Sequence, residues 1–77
     1  MIRLLLFAHL KEQLQKDELL LPYQNITVKQ LRDILKNDYS ISASSSIMVA
    51  VNEEFAAEED VIGDGDVVAL IPPISGG

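Results

Sequence analysis

The sequence predicts an α+β domain in which a small mixed sheet wraps around one main helix, with a short additional helix and an extended C-terminal tail. Two observations carry this. Residues 2–7 and 67–71 are nearly continuous apolar runs at opposite ends of the chain, as expected of strands lying side by side at the centre of a sheet. Between them, Val28, Leu31, Ile34 and Leu35 trace one apolar stripe at helical spacing. With 77 residues the chain holds one domain, near the small end of what a single hydrophobic core supports.

Taken in order, Ile2-Arg3-Leu4-Leu5-Leu6-Phe7 is too short for a stable helix. It is apolar on both alternating faces apart from Arg3, which suits a central strand covered on each side. Residues 8–16 place Leu10 and Leu14 four apart with Lys11, Glu12 and Gln13 between them, the pattern of a short helix lying against the sheet. Residues 18–21 read as a second strand, ended by Pro22 because proline cannot donate to a continuing ladder. Thr27 followed by Gln30 is a capping-box pattern that opens the main helix over 28–36, with Asn37 suited to the left-handed position that closes it. Residues 40–46 are small and polar enough to form a loop. Residues 47–51 form a buried strand, and Asn52-Glu53 turns the chain into a short strand over 54–56. Asp64-Gly65-Asp66 makes the next turn before the last strand, 67–71. No internal repeat is present.

Composition removes many functions. No cysteine is present, so disulfides, thiolate metal sites and a thiol nucleophile are excluded. The net charge is -6, and the basic residues are scattered rather than gathered into a stripe that could track phosphates, which argues against nucleic acid. An acidic surface favours encounter with a basic protein patch, and equally serves simple solubility. No apolar run approaches the roughly 18 residues of a membrane span. The apolar start lacks a signal-peptide cleavage pattern, so a cytoplasmic location is expected and no membrane partner. His9 has no second histidine or cysteine with which to build a metal site, and reads as a surface residue. Glu58-Glu59-Asp60 could bind a cation or could be a solvated turn; no metal site is predicted.

The chain end has its own character. Residues 1–71 form the expected domain and 72–77 a projecting tail. Pro72 and Pro73 cannot continue the ladder and favour extended backbone, stiffening the exit from the last strand. Ile74, Ser75, Gly76 and Gly77 follow, and six extended residues reach at most roughly 20 Å, far enough to carry a terminal carboxylate into another protein's active site. Glycine lacks a Cβ and passes through channels that reject other residues. A terminal Gly-Gly taken alone is equally what a frayed end looks like.

Leu6-Phe7-Ala8 with Lys11-Glu12, then Val49-Ala50-Val51-Asn52, and above all Asp64-Gly65-Asp66 leading to Pro72-Pro73-Ile74-Ser75-Gly76-Gly77, resemble the small-subunit family of molybdopterin synthase along essentially the whole chain. The resemblance implies a ubiquitin-like β-grasp fold with the two end strands paired in parallel. It further implies that a ubiquitin-activating-like adenylyltransferase uses ATP to adenylate the Gly77 carboxylate, which then accepts sulfur as a thiocarboxylate. The carrier itself holds no permanent cofactor and is not catalytic alone, nucleotide entering only at that step. The tail, Pro72 to Gly77, would then enter the large catalytic subunit and give sulfur to a cyclic pterin phosphate, two carriers being spent per dithiolene. Sulfur riding on a main-chain terminus is consistent with a sulfur carrier that has no cysteine.

By the same resemblance, Phe7, Phe55 and Ile71 correspond to apolar positions that dock the activating enzyme and the large subunit, and Lys11 stands where many members carry arginine. Lysine keeps that charge but lacks the planar fork of a bidentate contact. Strand alternation independently sets Arg3, Leu5 and Phe7 opposite Ile2, Leu4 and Leu6, and one helix covers one face only. An ordinary core role for Phe7, Phe55 and Ile71 is the competing reading. The implied assembly is a heterotetramer of two small and two large subunits, the free carrier being a monomer or weak dimer. Rival functions are a sulfur carrier for thiazole synthesis, a ubiquitin-like modifier joined to lysines through Gly77, and a plain binding domain with an inert tail.

Overall fold

The computed structural model describes residues 1–41 and 46–71. Residues 42–45 of the expected 40–46 loop and the tail residues Pro72, Pro73, Ile74, Ser75, Gly76 and Gly77 lie outside the described residues. Within them the chain runs β1 (Ile2–Leu6), α1 (Ala8–Leu14), β2 (Glu18–Leu21), β3 (Asn25–Thr27), α2 (Val28–Asp38), β4 (Met48–Val51), β5 (Glu54–Phe55), β6 (Val61–Gly63) and β7 (Val67–Ile71).

Five strands form one mixed sheet in the order β2-β1-β7-β4-β5. The two end strands of the chain meet at its centre in parallel, with Leu4 opposite Val68 and Leu6 opposite Leu70. The other pairings are antiparallel. Ile2, Leu4 and Leu6 of β1, Leu19 and Leu21 of β2, Val49 of β4 and Val68 and Leu70 of β7 point to one side, where they pack with Val28, Leu31 and Leu35 of α2. Each such fully buried aliphatic side chain contributes roughly 1.5–3 kcal/mol relative to exposure. The expectation that β1 is covered on both sides is corrected. Arg3 is exposed and Leu5 only half-buried, because α2 occupies one face and no described element covers the other.

A second sheet of two strands, β3 and β6, was not predicted. Each has three residues and a single buried side chain, Ile26 and Ile62, which face each other across the pair. This small sheet delivers the chain into α2. The Thr27 hydroxyl accepts from Gln30 N–H at 3.1 Å while the Thr27 N–H donates to Gln30 Oε1 at 2.8 Å, a complete capping box.

The main helix is longer than predicted. It continues through Asn37 to Asp38, and Ser40 (φ 56°) rather than Asn37 takes the left-handed conformation. The two extra residues carry Tyr39 against the core, and the Ile41 N–H then closes back on the Leu35 carbonyl at 3.0 Å. The short helix ends earlier than predicted, at Leu14, because Gln15 (φ 56°) turns left-handed. Asn52 and Glu53, both at positive φ, make the two-residue turn from β4 to β5, the conformation whose twist matches a hairpin.

Candidate functional site: an open apolar sheet face

The face of the sheet away from α2 carries the apolar positions singled out in the sequence. Phe7, Phe55 and Ile71 are 48%, 68% and 37% exposed, so the structure places none of them in the core. Register explains their arrangement. Ile71 is opposite Met48, and one step along the strands Leu5, Ala69, Ala50 and Phe55 form a row across four neighbouring strands. Phe7 has extended backbone (φ -130°, ψ 157°), so it continues the outward alternation of Arg3 and Leu5 beyond the end of β1. Its carbonyl accepts from Leu10 N–H at 3.1 Å, fixing it at the junction of β1 and α1.

The sequence reading missed Met48, an exposed member of this face. Residues 47–51 are apolar throughout, so periodicity cannot say which alternate side chains point outward. Only pairing with β7 does. Toward the turn end, Leu5, Val67, Ala69, Asn52 and Glu53 line a mostly apolar concavity of about 380 Å³.

Exposed charged pairs lie on β1, β2 and α1. Arg3 pairs with Glu18 at 3.4 Å across β1 and β2. Lys11, on α1 directly after Phe7, pairs with Asp17 at 3.0 Å, both side chains exposed. His9 is also exposed, 3.9 Å from the Glu12 carboxylate. Two members of the acidic run 58–60 make contacts within the fold. Glu58 pairs with Arg32 at 2.9 Å and Asp60 accepts the Ala57 N–H at 2.8 Å. Among the described residues no group of three His, Asp or Glu side chains converges as metal ligands.

At the end of the sheet where β7 begins, Asp66 accepts the Gly63 N–H at 2.7 Å and the Asn52 side-chain amide at 3.1 Å. These bonds, the Gly63 one foremost, hold its carboxyl below the ordinary aspartate range. Asn52 in turn accepts from Val67 N–H at 3.1 Å. The start of the central strand is thereby tied to the β4–β5 turn. Its other end, Ile71, lies at the rim of the apolar face beside Met48.

A sheet gripping one helix, with its terminal strands parallel at the centre and its outer face open and apolar, defines a β-grasp domain. Solved structures share the fold. Small archaeal modifier protein 1 from Haloferax volcanii is 26% identical, with a TM-score of 0.76 and coverage of 95% of this chain and 97% of that one. A chain from the complex of subunits 1 and 2 of the molybdopterin-converting factor of Helicobacter pylori, at 23% identity, has the same fold (TM-score 0.69; 99% and 97% covered). The chain belongs to the ThiS family, whose sequence pattern matches residues 4–77. It is similar to the molybdopterin synthase sulfur carrier subunit of Anopheles gambiae, 36% identical over 99% of this chain and 91% of that protein. The protein of the same name from Dictyostelium discoideum is 38% identical over 97% and 94%. Among the described residues no helix is long and apolar enough to cross a membrane.

Proposed function

We propose that the chain is the sulfur carrier subunit of a molybdopterin synthase, a non-catalytic small subunit acting in molybdenum cofactor biosynthesis. The observation that carries this reading is similarity along nearly the whole chain to proteins of that name from an insect, an amoeba and a plant, at 34–38% identity. The described geometry supports it. A central strand delivers the chain at Ile71, on the rim of an open apolar face, and six residues follow, ending in Gly76-Gly77.

A carboxylate is a poor electrophile, and adenylation makes it reactive. A Gly77 carboxylate oxygen attacks the α-phosphorus of ATP held by a ubiquitin-activating-like enzyme and pyrophosphate leaves. Sulfur delivered at the oxidation level of hydrosulfide then attacks the acyl carbon, AMP leaves and the sulfur's proton passes to solvent, so the terminus becomes a thiocarboxylate. Residues 1–71 act as the handle, recognised through Phe7, Phe55, Ile71 and Lys11. Residues Pro72 to Gly77 enter the large subunit, where the terminal sulfur passes to the pterin.

A second reading, a modifier joined to lysines through Gly77, is favoured by the likeness to small archaeal modifier protein 1. It shares the adenylation step and differs in acceptor. Intact mass spectrometry after incubation with ATP, a sulfur source and the activating enzyme separates the two. Exchange of one oxygen for sulfur confined to the C-terminal peptide supports the carrier, and stable lysine adducts with no sulfur exchange support the modifier. An unmodified terminus alongside a proven active enzyme would overturn both.

A further inference from the structure

The chain has two methionines and no cysteine, so the sulfur of its own side chains is confined to two thioethers. Both are exposed, Met1 at 61% and Met48 at 50%, but they occupy different places. Met1 sits at the turn end of the sheet, its carbonyl accepting from Gly65 N–H at 2.7 Å and its amine paired with Asp64. Met48 lies on the open apolar face, directly opposite Ile71 in register, and shares a concavity of about 260 Å³ with Phe55.

We propose that Met48 is an oxidation site for peroxides whose sulfoxide weakens docking through this face. The inference rests on the reading of the face as the docking surface. In the reaction a lone pair on the thioether sulfur attacks one peroxide oxygen and the O–O bond breaks. The second oxygen leaves as water, sulfur losing two electrons and peroxide gaining them. The side chain changes from a flexible apolar group to a polar one. In the free carrier the sulfoxide oxygen is hydrated. On docking it must shed that water, and Ile71, Phe55 and Ala50 beside it have no donor. Of the polar side chains that line the same concavity, Ser46 and Arg32, the guanidinium is already bonded to the Ile47 carbonyl and Glu58. An unsatisfied polar oxygen at such a surface weakens association by roughly tenfold or more. Oxidation therefore acts on the undocked carrier, and docking shields the sulfur.

One consequence touches the assay for sulfur loading. Sulfoxide formation adds about 16 mass units, nominally the same as exchanging oxygen for sulfur at Gly77. Whole-chain mass therefore cannot distinguish a loaded carrier from an oxidised one, whereas the peptide bearing the change does.

Met1 is the internal control. The full chain is treated with hydrogen peroxide with and without the large subunit, each methionine is followed by peptide mass, and affinity is measured by titration calorimetry. The expected result is oxidation of both methionines in the free chain, protection of Met48 but not Met1 in the complex, and a fall in affinity of about tenfold or more that methionine sulfoxide reductase reverses. In Met48→Leu, peroxide should leave that variant's own starting affinity unchanged. The proposal is overturned if chain oxidised at Met48 docks with unaltered affinity, or if Met48→Leu loses as much on treatment as the unsubstituted protein. If neither methionine is protected and Phe7→Ala docks normally, the docking face itself is misassigned. Weakened docking by Phe7→Ala with a harmless Met48 sulfoxide overturns the oxidation proposal alone.

Discussion

Asp66 shows how much structure one carboxylate organises. It gathers the Gly63 N–H and the Asn52 side-chain amide, while its own carbonyl accepts from Arg3 N–H at 3.1 Å. It thus joins three points of the chain where β7 starts. The sequence marks Asp64-Gly65-Asp66 as a turn, but nothing in the triplet distinguishes the aspartate that braces the fold from Asp64, which meets the chain's amino group. That distinction depends on Asn52, contributed by a different hairpin. The folded-state pKa of Asp66 lies below its ordinary 3.8. Its ionised form therefore stabilises the fold fully above that value, and the contribution is lost as pH falls through the folded-state pKa. Asp66→Asn removes the charge and, while its amide oxygen can still accept one of the two bonds, sets its NH2 against the other donor. The variant is expected to melt below the unsubstituted protein near neutral pH, with the gap closing as both are acidified below about pH 4. Thermal midpoints across that range check this, and parallel curves would show that Asp66 is not the group titrating.

Among the elements, α2 has the most thoroughly satisfied start. The Thr27 and Gln30 N–H groups bond within the capping box, the Val28 N–H donates to the Asp60 carbonyl at 3.0 Å, and the Lys29 N–H donates to the Glu58 carbonyl at 3.1 Å. These are the groups a helix otherwise leaves to water at its first turn. The capping box was legible because its two partners are three residues apart. The acidic run's part in the same cap was not, since it joins only when β6 pairs with β3. That small sheet escaped notice for a related reason. With one buried residue per strand, Ile26 and Ile62 offer no alternation to detect. Asn37 misled because its preference for left-handed backbone is weak beside the packing of half-buried Tyr39 and buried Ile41, which pulls the helix two residues further. Thr27→Ala should lower stability by about 1 kcal/mol. In urea denaturation the midpoint should move with the slope unchanged, and an unshifted midpoint would mean the loop carbonyls alone hold this end.

At the scale of the whole molecule, the fold divides a chain of 48% apolar residues into two unequal apolar surfaces. One is sealed by α2, and the other is left open with Phe7, Phe55, Ile71 and Met48 upon it. The paired end strands were legible in the two terminal apolar runs and the family resemblance, and the outward direction of Phe7 in strand alternation with a single helix to cover one face. The breadth of the face was not, since it depends on registers between strands far apart in the chain. This division makes stability and association separable. Phe7 touches the core little, so Phe7→Ala should cost less than about 1 kcal/mol of folding free energy. Leu35→Ala, removing a side chain that is fully buried beneath the sheet, should cost about 2–5 kcal/mol. If the open face docks the large subunit, the ranking inverts for binding. Phe7→Ala should then weaken association by about tenfold or more, and Leu35→Ala, measured where it is still folded, much less. Denaturation and calorimetric titration of the same two variants give both rankings. The same order in both would mean that Phe7 lies outside the interface and that the partner reads some other surface of the domain.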